Sequence, residues 1–141
     1  MIRVVLDTNV VVSAALSSSG PPSRIIELAN QHLFQLWLSP ATFAEYEDVL
    51  SRPRVGVAPK TAKSLLAWVK RTGKLVTPSK TVTSSPDPDD NRFLECAESA
   101  KAHYLVTGNI RHFPDRWKYT KVVTPKHFLE AFGSPSRKID R

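Results

Sequence analysis

Three carboxylates and one amide, far apart in the chain, stand where a parallel sheet would gather them: Asp7, Glu45, Asp90 and Asn109. Asp7 closes the apolar run Ile2, Val4, Val5, Leu6, which reads as a strand buried on both faces. That puts its carboxylate at the strand's C-terminal end, the edge where open α/β sheets place ligands. There it stays charged only if a cation or several donors compensate it. Asp90 falls in the first turn of a later helix, at the third position if Asp87 is the N-cap and Pro88 the first residue. Asn109 follows the strand Tyr104-Leu105-Val106-Thr107. Strand ends and the helix starts that follow them share one edge, so Asp7, Asp90 and Asn109 converge there. Glu45 shares a helix side with Thr42 and Val49, at three- and four-residue spacing, and tends toward the packed side, whereas Glu47 and Asp48 face solvent. Carboxylates held together repel one another and titrate high unless a cation sits among them. An oxygen-only set suits Mg²⁺ or Mn²⁺, which can activate water, orient its attack and stabilise a leaving oxygen. Taken singly, each residue also has a plain role: Asp7 in an Asx turn, Asp87, Asp89 and Asp90 as caps, Glu45 as a solvated helix residue.

The elements that must position these groups alternate. Residues 2–6 predict the first strand, followed by a turn into a short helix. Ser17 to Pro22 is loop by composition, and Ser23 caps a helix over 24–31. Residues 34–38 predict the second strand. Ser39 and Pro40 start a helix that ends before Pro53. A further helix spans 60–71, a short strand 74–77, and the Asp87-capped helix follows a polar loop. After the strand ending at Thr107, residues 110–119 form a loop rich in Arg, His and aromatics. Residues 121–124 are the last strand and 125–132 the last helix. With no hairpin signal, this pattern predicts an α/β fold, a central parallel sheet with helices on both faces. One domain covers 1–132, with a flexible basic tail over 133–141.

The chain has 141 residues, enough for a real core, and 41% of them are hydrophobic. Twenty Lys and Arg stand against 13 Asp and Glu, a net +7 that points to a polyanionic partner, nucleic acid first. Cys96 is the single cysteine. This leaves no intramolecular disulfide and no thiolate zinc site, and Cys96 reads as a core filler. No apolar stretch would span a membrane and the N-terminus is a strand, so a cytoplasmic protein is expected.

Four blocks together resemble the PIN-domain nucleases, in order and spacing. They are Ile-Arg-Val-Val-Leu-Asp-Thr-Asn at the N-terminus, residues 39–53 around Glu45, residues 87–97 around Asp90, and Tyr-Leu-Val-Thr-Gly-Asn with the following His-Phe-Pro over 104–114. The likeness covers essentially the whole chain and is nearest to VapC-type toxins of bacterial toxin–antitoxin systems. It implies a three-layer α/β/α sandwich, an acidic cluster holding Mg²⁺ or Mn²⁺, and cleavage of single-stranded RNA. It also implies a homodimer held inactive by a small antitoxin protein. Position by position, Asp7, Glu45 and Asp90 match the first three acidic residues, with Asp89 as the fallback for the third. The fourth position, usually Asp, is Asn109. Losing that charge predicts weaker binding of a second metal ion, or an RNA-binding domain with little cleavage. Thr8, Asn9 and Thr107 are candidates to orient the carboxylates or a metal-bound water, or else ordinary turn caps.

The four histidines are scattered, and only His112 falls near the proposed site, as a phosphate contact rather than a base. Arg111, His112, Arg116 and Trp117 interleave charge and aromatics, as single-strand binding prefers. Trp117 either stacks on a base or anchors its loop. Arg52, Arg54, Lys60, Lys63, Lys70, Arg71 and Lys74 form a second basic region, with Lys63 and Lys70 on a solvated helix face. A haloacid-dehalogenase-type phosphatase is disfavoured because Asn9 stands where its second Asp belongs. A response-regulator receiver lacks its acidic pair and its phospho-acceptor.

Overall fold

Val4, Val5 and Leu6 have no exposed surface, because β1 (Arg3–Leu6) runs through the middle of the sheet. The computed structural model describes residues 1–132; the basic tail lies outside the described residues. The other strands are β2 (Gln35–Leu38), β3 (Lys74–Leu75), β4 (Tyr104–Val106), β5 (Arg116–Trp117) and β6 (Thr120–Val123). Their order across the sheet is β3-β2-β1-β4-β6-β5. All pairs are parallel except β5 with β6. The helices α1 (Thr8–Leu16), α2 (Pro21–Asn30), α3 (Pro40–Leu50), α4 (Pro59–Thr72), α5 (Pro88–Ala100) and α6 (Pro125–Phe132) flank it. The result is the expected α/β arrangement, a mostly parallel sheet between helices.

Five of these six helices begin on proline, whose fixed φ suits the first helical turn and whose missing N–H is not needed there. In α3 the Ser39 side chain accepts from Thr42 N while the Thr42 hydroxyl accepts from Ser39 N, a reciprocal cap. In α5 the Asp87 carboxylate accepts from Asp89 N at 2.9 Å. Phe93, Leu94, Cys96 and Ala97 on α5 are buried against β1, β2 and β4. Burial pushes the Cys96 thiol up to about 12, so it is an unreactive part of the core. Phe34, Phe128 and Phe132 form an aromatic cluster between α6 and the start of β2.

Three expectations are corrected. There is a hairpin: β5 and β6 pair antiparallel around Lys118 and Tyr119. Its turn holds Lys118 at φ 55, where hairpins normally carry Asn or Gly, so no sequence signal marked it. The second helix starts at Pro21 behind Gly20 (φ 101), not at a Ser23 cap. There is no turn between β1 and the first helix, because Asp7 caps α1 directly.

Gly73 joins α4 to β3, and space rather than torsion reserves it. A Cβ there would stand 1.9 Å from Leu38 Cδ2 and 2.8 Å from the Val69 carbonyl oxygen. Gly73→Ala is expected to destabilise the fold by about 1–3 kcal/mol, read as a lower urea midpoint. An unchanged midpoint would mean that Leu38 swings clear.

Candidate active site

The site begins with the join of β1 to α1. Asp7 N donates to the Val106 carbonyl at 2.9 Å, the last rung between β1 and β4. The Tyr46 hydroxyl, fully buried on α3, donates to the Leu6 carbonyl and fixes the strand end from the other side. The Asp7 side chain, 6% exposed, turns back as the N-cap of α1. Its Oδ1 accepts from Thr8 N at 2.8 Å. Its Oδ2 accepts from Thr107 Oγ1 at 2.7 Å and from Asn9 Nδ2 at 3.1 Å. Burial raises the Asp7 pKa; those three donors and the nearby His112 pull it back down.

The same few atoms tie in the end of β4. Thr107 Oγ1 accepts from Asn109 N at 2.9 Å, and Asn9 Oδ1 accepts from Gly108 N at 2.9 Å. Thr107 and Asn9 therefore each bridge Asp7 to the turn that carries Asn109. The Thr8 hydroxyl is buried beside them without a hydrogen-bond partner.

Around these groups opens a cleft of about 460 Å³. Asp7, Thr8, Asn9, Glu45, Asp89, Asp90, Asn109 and His112, all singled out in the sequence, line it. Glu45, Val49 and Arg52 reach it from one face of α3 and its exit, at spacings of four and three residues. Thus three carboxylates brought from distant stretches share one cleft with Asp87 and Asp89. Burial first, then the charges of Asp7 and Asp87, push Asp90 up to about 6. Glu45 is raised by burial and then by Asp89, with Arg52 opposing. His112 Nδ1 stands 3.9 Å from Asp90 Oδ2.

Some readings need correcting. Arg111 is exposed on the short turn Ile110–His112 beside the cleft but does not line it. Arg116 and Trp117 lie at the other end of the sheet, since β5 pairs with the beginning of β6 and Lys121 pairs with the first residue of β4. The Trp117 indole N–H donates to Glu98 Oε1 at 3.0 Å, which makes it an anchor for its loop. The second basic region is dispersed: Arg52 faces the cleft, while Arg71 and Lys74 border a pocket at the opposite edge.

Sequence reasoning missed Asn91 and Ser85. Asn91 Oδ1 accepts from Ser85 N at 2.7 Å and its Nδ2 donates to Ser85 O at 2.9 Å. Ser85 in turn reaches Asp90 Oδ2 at 3.4 Å, so the pair braces the start of α5. One turn on, Glu95 Oε2 accepts from Val82 N at 2.8 Å and from Arg92 at 2.7 Å, strapping the same loop down. An Asn and a Glu four residues apart on an otherwise apolar helix face were the available signal.

The donor set fits a hard divalent cation. Apart from the His112 imidazole its ligands are oxygens, Asp90 and Glu45 are raised by burial and then by neighbouring carboxylates, and a buried hydroxyl beside them is unpartnered. Among the described residues no three His, Cys, Asp or Glu side chains are drawn in close enough to enclose an ion. Mg²⁺ does not require that, since one or two carboxylates, water and substrate phosphate commonly complete its shell.

Residues 3–111 match the PIN domain family. The chain is also similar to an uncharacterized protein of Methanocaldococcus jannaschii: 30% identical over 144 aligned residues, which cover 93% of this chain and 92% of that one.

Proposed function

The chain belongs to the PIN-domain family, whose members are generally metal-dependent nucleases, and from that membership we propose a divalent-metal-dependent endoribonuclease acting on single-stranded RNA. One observation carries the reading: Asp7, Glu45 and Asp90, from three remote stretches, line one cleft. A bound Mg²⁺ or Mn²⁺ would neutralise that cluster and polarise both the scissile phosphate and an attacking water. Asp7, held rigidly by Thr107, Asn9 and Thr8 N–H, offers its remaining lone pairs as ligand, and Asp90 offers the facing carboxylate. Glu45 is placed to hold a water against the ion or to take its proton, which its raised pKa favours. Arg52 supplies positive charge to a phosphodiester entering the acidic cleft, and His112 lines the cleft beside it. On this reading the protein is the toxin of a toxin–antitoxin pair, a homodimer restrained by a small antitoxin. No helix among the described residues is long and apolar enough to cross a membrane.

Asn109 supports a second reading, an RNA-binding domain with weak or no cleavage. Its residue lines the cleft, where the fourth family position is usually a carboxylate. Cleavage of labelled RNA in Mn²⁺, lost on chelation, decides between the two. Calorimetric Mn²⁺ titration of the wild type is expected to show one tight site. Asn109→Asp should strengthen metal binding about tenfold and increase cleavage. Two tight sites in the wild type would refute the one-metal expectation.

A further inference from the structure

Among the described residues three non-glycine positions have positive φ, and all three carry basic side chains: His32 (φ 59), Lys101 (φ 53) and Lys118 (φ 55). Glycine is the least strained residue in that conformation, and Asn the usual substitute. All three lie on one edge of the sheet, the N-terminal edge, opposite the cleft. His32 precedes β2, Lys101 precedes β4, and Lys118 turns the chain into β6. A cation just past a helix complements the dipole of α5 at Lys101. It does not account for Lys118, which sits in a hairpin turn.

The rest of that edge has the same sign. A ladder of backbone hydrogen bonds runs across it, from Gln35 N to Ile2 O, His103 N to Arg3 O and Lys121 N to His103 O, so the strand starts lie side by side. Arg3 Nε also donates to the Lys101 carbonyl at 3.1 Å. Beyond β2, a pocket of about 560 Å³ is lined by His32, Trp68, Arg71 and Lys74 together with neutral residues, and by no carboxylate. At the other end Lys118 Nζ stands 5.3 Å over the Trp117 ring, and Tyr119 beside it is 76% exposed. Glu98, on that side of the sheet, is taken up by the Trp117 indole and by Lys80.

Five of the chain's 13 acidic residues line the cleft, so the excess of positive charge resides elsewhere. We propose that the N-terminal edge of the sheet is a second RNA-binding surface, which holds the phosphates of a strand whose scissile bond lies in the acidic cleft. The proposal rests on the ribonuclease reading above. Interleaved aromatics and cations suit single-stranded RNA, since stacking tolerates any base while phosphates take the charge. The buried sheet and its flanking helices lie between the two edges, so a strand that reaches both must pass around the outside of the molecule.

Lys101→Gly with Lys118→Gly is the cleanest test, because glycine suits both backbones and the protein stays folded. Arg71→Gln with Lys74→Gln tests the other end of the edge through exposed side chains. Binding is measured on an Asp7→Asn background, so that it is read whether or not RNA is cut. Each double variant should bind a long single-stranded RNA roughly tenfold more weakly, with a salt slope smaller by about one. On the native background, KM for that RNA should rise while cleavage of an oligonucleotide too short to reach the far edge is unchanged. Unchanged RNA affinity and salt slope in both variants would overturn the proposal, and so would a loss of binding to anionic vesicles without a loss for RNA. Wild-type protein that binds RNA through this edge but cuts none would sink the nuclease reading and leave this surface standing.

Discussion

Asp7→Asn should fold about as firmly as the wild type and cleave RNA about a thousandfold more slowly, a loss of roughly 4 kcal/mol in transition-state stabilisation. The two effects have one cause. Burial holds the Asp7 pKa above its ordinary value, so near neutrality the ionised carboxylate is a local destabilisation that the three donors offset only in part. The amide is neutral and nearly the same shape. Its oxygen still accepts from Thr8 N, and the Thr107 hydroxyl can turn to accept rather than donate, but its NH2 group then faces Asn9 Nδ2, which loses its acceptor. What disappears is the anionic oxygen that a divalent ion would use. Asp7→Ala should lose activity to the same extent and also about 1–3 kcal/mol of stability, because Thr107, Asn9 and Thr8 N–H lose their common acceptor. Single-turnover cleavage in saturating Mn²⁺ and melting in chelator check both variants. Cleavage by Asp7→Asn within tenfold of wild type would show that the reaction does not depend on this carboxylate.

Asp7 was legible because its signal is local: an apolar run long enough for one strand, ended by an acid. Asp87, Pro88 and Asp90 were legible for the same reason, since capping is written in adjacent residues. Glu45 was harder. Tyr46, beside it, is the largest side chain that α3 buries, and Phe43 with Tyr46 drew the apolar face away from the cleft. The position of Arg116 and Trp117 was hidden by topology. Their distance along the chain from Asn109 is short, but the intervening segment runs the full depth of the sheet and returns through a hairpin whose turn residues, Lys118 and Tyr119, give no sequence signal. Asn91 and Glu95 escaped because a polar residue on an apolar helix face announces only that it needs partners. Here those partners are the backbone of a loop with no regular structure, at Ser85 and Val82.

The stability of the metal-free protein should fall as pH rises from about 4 to 7, against the usual behaviour of carboxylates. Asp90 titrates near 6 in the folded chain and near its ordinary 3.8 once unfolded. Between those values the folded state keeps a proton that the unfolded state has released, so raising the pH favours unfolding until the folded pKa is passed. Glu45 and Asp7, both raised, act in the same direction. At full burial such a shift at Asp90 would be worth about 3 kcal/mol, and solvent screening of this partly exposed side chain reduces it to about 1. A divalent ion competes for the same oxygens, so binding it releases that proton and becomes tighter as pH rises. Mn²⁺ should therefore raise the melting temperature little at pH 5 and clearly at pH 7.5, by the linkage between ligand and folded state. Asp90→Asn should flatten the pH slope in chelator and remove most of the gain from metal. A melting temperature that rises with pH through this window in chelator would contradict the burial and repulsion that raise these carboxylates. A metal-induced gain that ignores pH would place the ion somewhere other than Asp90.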